Sequence, residues 1–232
     1  MDFIVIQSDI TDIACDAIVL PANQKLKEGS GASKAIFEKA GRKNLTDACQ
    51  KIGLCEEGYA VPTLAFNLDA NYIIHAVVPK WVDGNHSEYE LLSSAYLEAL
   101  TIADTIGCES IAFPLLASGH NGFDHSLAFE IAKKSIESFE NTHLKKIVLV
   151  VYDEKSVSLV KERGETVIKI SISSKKEKKK MDNDKIMDKS AEELQKGLKK
   201  ALEFFQNEKN REMIIVAGIE LVKIVKNVAK KG

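Results

Sequence analysis

The stretch that decides the fold is residues 16–41, which read DAIVLPANQKLKEGSGASKAIFEKAG. The apolar run over 16–20 predicts a buried strand ended by Pro21, and the apolar spacing over 33–40 predicts a helix. A polar loop with Asn23 and a Gly-Ser-Gly segment lies between them. A strand, a glycine-containing loop and a helix in this order are typical of the repeating unit of an α/β protein.

The same alternation continues to about residue 172. Strand-type runs cover 3–6, 71–78, 110–114, 146–151 and 166–172, and helical spacing covers 89–106 and 126–139. Strands separated by helices of this length predict a mainly parallel sheet with helices on both faces. Ligands of such folds bind beyond the carboxyl ends of the strands. The loops that follow 16–20 and 110–114 are therefore candidate site loops.

Composition restricts the class of function. The formal net charge is -2 and the pI is about 6.2, which disfavours a general electrostatic grip on nucleic acid. No apolar run reaches the roughly 18 residues that a membrane span needs. The four cysteines fit no metal-binding spacing, and the amino terminus has no secretory pattern. We therefore expect reduced thiols, a cytoplasmic location, no metal and no cofactor.

The composition changes near residue 171. Residues 173–187 are charged and poor in apolar side chains, which predicts a linker; a role for its lysines in RNA binding is the weaker alternative. Residues 188–231 begin with a capping box, Ser190 to Glu193, and carry two apolar faces, which predicts a helical hairpin. These faces need a cover, and the rest of the chain, a second copy in a homo-oligomer, a partner helix or a membrane surface would each provide one.

Two polar residues follow predicted strands closely. Asp9, with Ile10 beside it, can accept a hydrogen bond from an exocyclic amine such as adenine N6, or it can cap a helical turn. Asn23 can both donate and accept at a ribose diol, or it can serve as a turn residue.

Two glycine-containing loops can bring backbone N–H groups to a phosphate. The first contains Gly29, Ser30, Gly31 and Ala32, and the second contains Ser118, Gly119, His120, Asn121, Gly122 and Phe123. An ordinary flexible turn is the alternative for the first loop. In the second, the Phe123 ring could meet a ribose or base, and His120 is either a general base or an exposed loop residue. Neither loop has the lysine of a Walker motif, so diphosphate binding is favoured over phosphoryl transfer.

In order and spacing these motifs resemble the macro domain family. Residues 8–11 (SDIT) are similar to the family's opening Gly-Asp-Ile-Thr, and residues 16–23 (DAIVLPAN) to its Asp-Ala-Ile-Val strand followed by Asn-Ala-Ala-Asn. Residues 58–63 (GYAVPT), 72–75 (YIIH) and 110–114 (SIAFP) match further family motifs. The resemblance covers about residues 3–170. It implies a macro domain over 1–172, with three α/β/α layers and a mixed, mostly parallel sheet.

The resemblance also implies binding of ADP-ribose or of ADP-ribosylated protein. In the family the residue matching Asp9 holds adenine, the one matching Asn23 lies near the distal ribose, and both glycine-containing loops wrap the diphosphate. An aromatic residue at the end of the late strand packs by the adenine, and Tyr152 matches it.

Three departures from the family pattern bear on the ligand or on catalysis, and one is that the usual four-glycine loop is reduced to Gly29-Ser30-Gly31. Leu20 stands in place of the first Asn of Asn-Ala-Ala-Asn, and Ser33 stands where hydrolase members carry Asp. A serine cannot activate water as a carboxylate does at neutral pH. We therefore expect a binding module. The alternative is a hydrolase that removes ADP-ribose from protein or acetyl from O-acetyl-ADP-ribose through an unconventional base. Its candidate catalytic residues are Asn23, His120 and Asp124, with His125 as a further candidate base.

Overall fold

The computed structural model describes residues 1–169 together with residues 196, 197 and 199. The predicted linker over 173–187 lies outside the described residues. So do the hairpin predicted over 188–231, apart from the three residues just given, and any homo-oligomer formed through it. Within the described part of the chain, no helix combines the length and the apolar content needed to cross a membrane.

Strands and helices alternate along residues 1–169. The strands are β1 Asp2–Gln7, β2 Ala17–Ala22, β3 Ala60–Leu64, β4 Tyr72–Val77, β5 Ser110–Pro114, β6 Lys146–Val151 and β7 Val167–Lys169. The helices are α1 Ala32–Ala40, α2 Arg42–Ile52, α3 Glu88–Thr105, α4 His125–Glu137 and α5 Glu154–Glu162. A short 3-10 turn, Ile10–Asp12, follows β1.

The strands form one sheet in the order β3-β4-β2-β5-β6-β1-β7. All neighbouring strands are parallel except β3, which runs antiparallel to β4. Side chains of α1 and α2 pack on one face, and those of α3, α4 and α5 pack on the other. The predicted three-layer α/β/α fold with a mixed, mostly parallel sheet is confirmed.

The sheet opens between β2 and β5. These strands pair only at Ala17 with Ile111 and at Ile18 with Ala112, whereas β2 and β4 stay paired as far as Ala22. Strand order reverses here, and ligands of open α/β sheets bind at such a point.

The prediction that Pro21 ends the strand was wrong, because β2 continues to Ala22. The Ala22 carbonyl accepts the N–H of Val78 next to β4. Pro21, one residue earlier, therefore turns its backbone nitrogen toward the opened side, where β5 offers no partner at this level. The missing N–H of proline costs no ladder bond in that position.

Sequence reasoning missed α2, β3 and α5. Helix α2 buries only Leu45 and Cys49, so its apolar spacing is weak. Strand β3 is a short edge strand with Pro62 inside it, a composition that argues against a central strand. Helix α5 buries a serine and two valines. Helices α2 and α5 thus have few buried apolar residues of their own, and β3 is short and interrupted by proline.

Strand β4 shows why the central strands are continuous apolar runs: all six of its residues are buried, since helices cover both faces of the sheet. Its histidine, His75, has Nε2 at 3.0 Å from the Thr63 hydroxyl. Burial lowers the pKa of His75 to about 3, so the ring is neutral. His75 is a hydrogen-bonded core residue rather than a reactive one.

Candidate ligand-binding site

A cleft of about 1120 Å³ lies at the carboxyl ends of β2, β5 and β6, where the sheet opens. Of the ligand contacts expected from sequence, those that line it are Asp9, Ile10, Asn23, Gly29, Ser30, Gly31, Ala32, Ser118, Gly119, His120, Asn121 and Tyr152. The fold thus brings together residues from four loops. They meet because parallel strands end at the same edge of the sheet.

Asp9 has both of the roles considered for it in the sequence, as a cap and as a wall of the cleft. Its Oδ1 accepts the backbone N–H and the hydroxyl of Thr11, each at 2.8 Å, and so caps the 3-10 turn. Among the described residues, no donor reaches the other carboxylate oxygen, Oδ2. One oxygen therefore holds the loop, and the second is available to accept from a ligand.

Asn23 lines the cleft and also holds its own turn. Its Oδ1 accepts the N–H groups of Lys25 and Lys27 at 3.2 Å, and its Nδ2 donates to the Lys27 carbonyl at 2.7 Å. The following Leu26 has a φ of 53°. The side-chain amide is thereby fixed in one orientation, with one N–H of Nδ2 left for a ligand hydroxyl.

The first glycine-containing loop leads into the amino terminus of α1. The N-cap residue of this helix is Gly31, and no side chain caps its first turn. Its leading N–H groups therefore face the cleft with the positive end of the helix dipole behind them. Helices α4 and α5 differ, because Asp124 and Asp153 cap them. An uncapped helix start at a cleft is a ready anion site.

Ser33 occupies the position where the resemblance places an acid in hydrolases. Its side chain is 2% exposed, and its hydroxyl accepts the N–H of Gly29 at 3.0 Å. The hydroxyl therefore closes the first glycine-containing loop onto α1. In this position the side chain has a structural bond and no acidic group.

Backbone hydrogen bonds close the second glycine-containing loop, together with Ala117 directly before it. Gly122 donates to the Gly119 carbonyl at 3.0 Å, and Phe123 donates to the Ala117 carbonyl at 3.2 Å. Ala117 has a φ of 63°, a conformation that side chains rarely adopt. Such strain persists only where the surroundings fix the backbone, and it collects at ligand sites.

Two predicted ligand contacts do not face the cleft. Phe123 is 2% exposed, and its ring packs edge-on against Trp81 at a centroid distance of 5.1 Å. Gly122 also lies outside the cleft walls. The expectation that the Phe123 ring meets a ribose or base does not hold in this structure, because the ring is needed in the core beneath the loop.

Of the three candidate bases, two also lie outside the cleft walls and one lines the cleft. Asp124 does not line the cleft, and its Oδ1 accepts the N–H groups of Ser126 and Leu127 as the cap of α4. His125 lies outside the walls too, with Nδ1 at 3.0 Å from the Ser156 hydroxyl. His120 lines the cleft and is exposed. A position directly before a helix was the sequence signal for the Asp124 cap.

The cleft includes charged residues that sequence reasoning missed, namely Lys25, Glu57, Lys80 and Asp153. Asp153 accepts the N–H of Ser156 at 2.8 Å and its hydroxyl at 3.0 Å. Burial opposes its ionisation, but these hydrogen bonds lower the pKa of Asp153 overall. Glu57 stands on the loop before β3, which had no motif to single it out.

The chain matches the family model described as Macro domain over residues 19–132. A macro domain-containing protein of Listeria monocytogenes is 41% identical over 167 residues, which cover 68% of this chain and 94% of the relative.

The chain belongs to the macro domain family.

Further similarities of this macro domain are informative about ligands of its relatives. An O-acetyl-ADP-ribose deacetylase of Escherichia fergusonii is 44% identical over 161 residues, covering 67% of this chain and 90% of that protein. The solved structure of the Oceanobacillus iheyensis macrodomain with ADP superposes with a TM-score of 0.65 at 30% identity. That match covers 68% of the present chain and 87% of the Oceanobacillus chain.

Proposed function

We propose that the cleft of this macro domain binds ADP-ribose, either free or attached to protein. The observation that carries the proposal is the uncapped start of α1, which lines the cleft together with Ser118 to Asn121. Two sets of backbone N–H groups can grip a diphosphate without a basic surface. This suits a chain whose net charge is -2.

Residues on either side of the diphosphate site are assigned to the adenine and to the distal ribose of the ligand. The free oxygen of Asp9 accepts from the adenine amine, and Tyr152, which is 75% exposed, covers the base. At the other end, Asn23 contacts the distal ribose. The relatives support this assignment, since one is named for O-acetyl-ADP-ribose and one was solved with ADP. The four free cysteines agree with the cytoplasmic location that we propose.

Asp9→Asn tests the proposal with little disturbance of the loop. The new Oδ1 still caps Thr11, whereas an NH₂ group replaces the free oxygen and opposes the adenine amine. Loss of a hydrogen bond to a charged acceptor costs about 1.5–3 kcal/mol, so calorimetry should show affinity for ADP-ribose falling roughly 10- to 100-fold. Asp12→Asn is the matched control, because Asp12 is exposed on the same turn and outside the cleft walls. Equal affinities for the two variants would contradict the assignment.

A hydrolase is the second candidate, favoured by the 44% identity to a deacetylase. Ser33 supplies no carboxylate and Asp124 is a helix cap, so the base would be Glu57 or His120, which both line the cleft. Incubation of the wild-type protein with O-acetyl-ADP-ribose decides between the candidates. Binding without release of acetate supports a binding module, and acetate release that is lost in Glu57→Gln or His120→Ala supports the enzyme.

A further inference from the structure

Glu88, the first residue of α3, is a buried carboxylate outside the cleft, with 1% of its surface exposed. Its Oε1 accepts the backbone N–H groups of Val82, Asp83 and Gly84 at 3.0–3.1 Å. Its Oε2 accepts that of His86 at 2.7 Å. Burial opposes ionisation, but these hydrogen bonds lower the pKa of Glu88 to about 2. An ionised carboxylate thus accepts four of the five backbone N–H groups of the loop over 82–86, and Asp83 accepts that of Asn85.

Trp81 lies directly before this loop and contacts the second glycine-containing loop. The backbone N–H of Trp81 donates to the backbone carbonyl of Asn121 at 2.7 Å. Its ring packs edge-on against Phe123, at 5.1 Å between centroids, and against Tyr89 at 5.5 Å. The fit is tight on the far side as well, since a Cβ on Gly84 would lie 3.0 Å from the Trp81 ring.

Asn121 ties the two segments together a second time. Its Nδ2 donates to the carbonyls of Val78 and Pro79 at 3.2 and 2.9 Å. Val78, Lys80 and Asn121 all line the cleft. The wall that faces the proposed diphosphate is therefore continuous with the segment that Glu88 holds in place.

We propose that Glu88 is a positioning residue for the ligand cleft, which acts through the 82–86 loop and Trp81 to fix Asn121 and Phe123. This inference rests on the proposed function for its effect on ADP-ribose, and on the contacts alone for its effect on the loop. Asp83, His86 and Glu88 also have potential metal-ligating atoms within 4.8 Å of one another. The Glu88 oxygens already accept four N–H groups, so the cluster serves the backbone rather than a cation.

Glu88→Gln is the decisive variant, because it keeps the shape but replaces one accepting oxygen with an NH₂ group that faces backbone N–H groups. Asp83→Asn is the matched control in the same loop: Asp83 is exposed and, among the residues that the structure describes, accepts from Asn85 and His86, so the Glu88 bonds stay intact. We expect the dissociation constant for ADP-ribose to rise roughly 10-fold in Glu88→Gln and to change less than about 2-fold in Asp83→Asn. Trp81 is the only tryptophan, so its emission should shift in Glu88→Gln alone.

Amide hydrogen exchange separates this inference from the proposed function, because it needs no ligand. The N–H groups of Gly122 and Phe123 should exchange faster in Glu88→Gln than in wild type, although Glu88 makes no hydrogen bond to either residue. Unchanged exchange at Gly122 and Phe123 would overturn the proposal. So would an unchanged affinity for ADP-ribose, if the Glu88→Gln protein is folded and has lost exchange protection over 82–86. Trp81→Leu provides a second route if Glu88→Gln fails to fold, since it removes the ring contact to Phe123 and leaves every Glu88 bond in place. Wild-type exchange and affinity in Trp81→Leu would also overturn it.

Discussion

Gly31 offers a sharp test of how the first glycine-containing loop works. Its φ of 56° and ψ of -128° lie where side chains are rarely found, and a Cβ added there would meet no atom within 4 Å. In the ligand-free protein Gly31→Ala therefore perturbs the backbone conformation without a steric clash. Such strain costs about 1–3 kcal/mol, and the reduced freedom of the unfolded chain returns about 0.4–1 kcal/mol. The expected net loss is roughly 1–2 kcal/mol.

Thermal unfolding measures this loss, because about 1 kcal/mol shifts the Tm of a domain of this size by about 2–4 °C. We expect Gly31→Ala to lower the Tm by roughly 2–8 °C and to weaken ADP-ribose binding, since the N–H groups at the start of α1 turn away from the cleft. Gly119→Ala is the control: it lies in the other loop, without a positive φ and with no atom within 4 Å of its Cβ. Its Tm should stay the same or rise. A Tm that rises equally in both variants would refute the conformation assigned to Gly31.

Two further predictions concern carboxylates that accept backbone N–H groups. Asp124→Ala should lower the free energy of unfolding in urea by about 1 kcal/mol and leave ADP-ribose affinity unchanged, since Asp124 caps α4 outside the cleft; a loss of affinity without a loss of stability would restore it as a site residue. Burial opposes ionisation of Asp104, but hydrogen bonds from Thr142, His143 and Leu144 lower its pKa below the ordinary 3.8. Because the pKa of Asp104 is lower in the folded state, its ionisation stabilises the protein above pH 3.8. This stabilisation is lost as the pH falls through the folded pKa. Wild type should therefore exceed Asp104→Asn in unfolding free energy at pH 7, and the difference should shrink below pH 3.8; a constant difference would contradict this.

The sequence by itself determined the layered α/β fold and most of the cleft. The bounds of β5 and β6 agree with the predicted runs 110–114 and 146–151, because both strands are buried between helices and are therefore continuously apolar. The position of the cleft follows from topology, since loops after parallel strands must meet at one edge. The short motifs around Asp9 and Asn23 therefore led to residues that do line the cleft.

Only the tertiary structure decided which polar groups are already in use. Asp9 and Asp124 both precede a helical turn, yet the structure leaves one oxygen of Asp9 at the cleft and turns Asp124 away from it. Phe123 belongs to the core, and Glu88 is linked to the second loop through the 82–86 loop and Trp81. Sequence patterns report which face of an element is apolar. Which acceptor a particular N–H meets depends on contacts across the sheet and between loops, and these contacts join residues far apart in the chain.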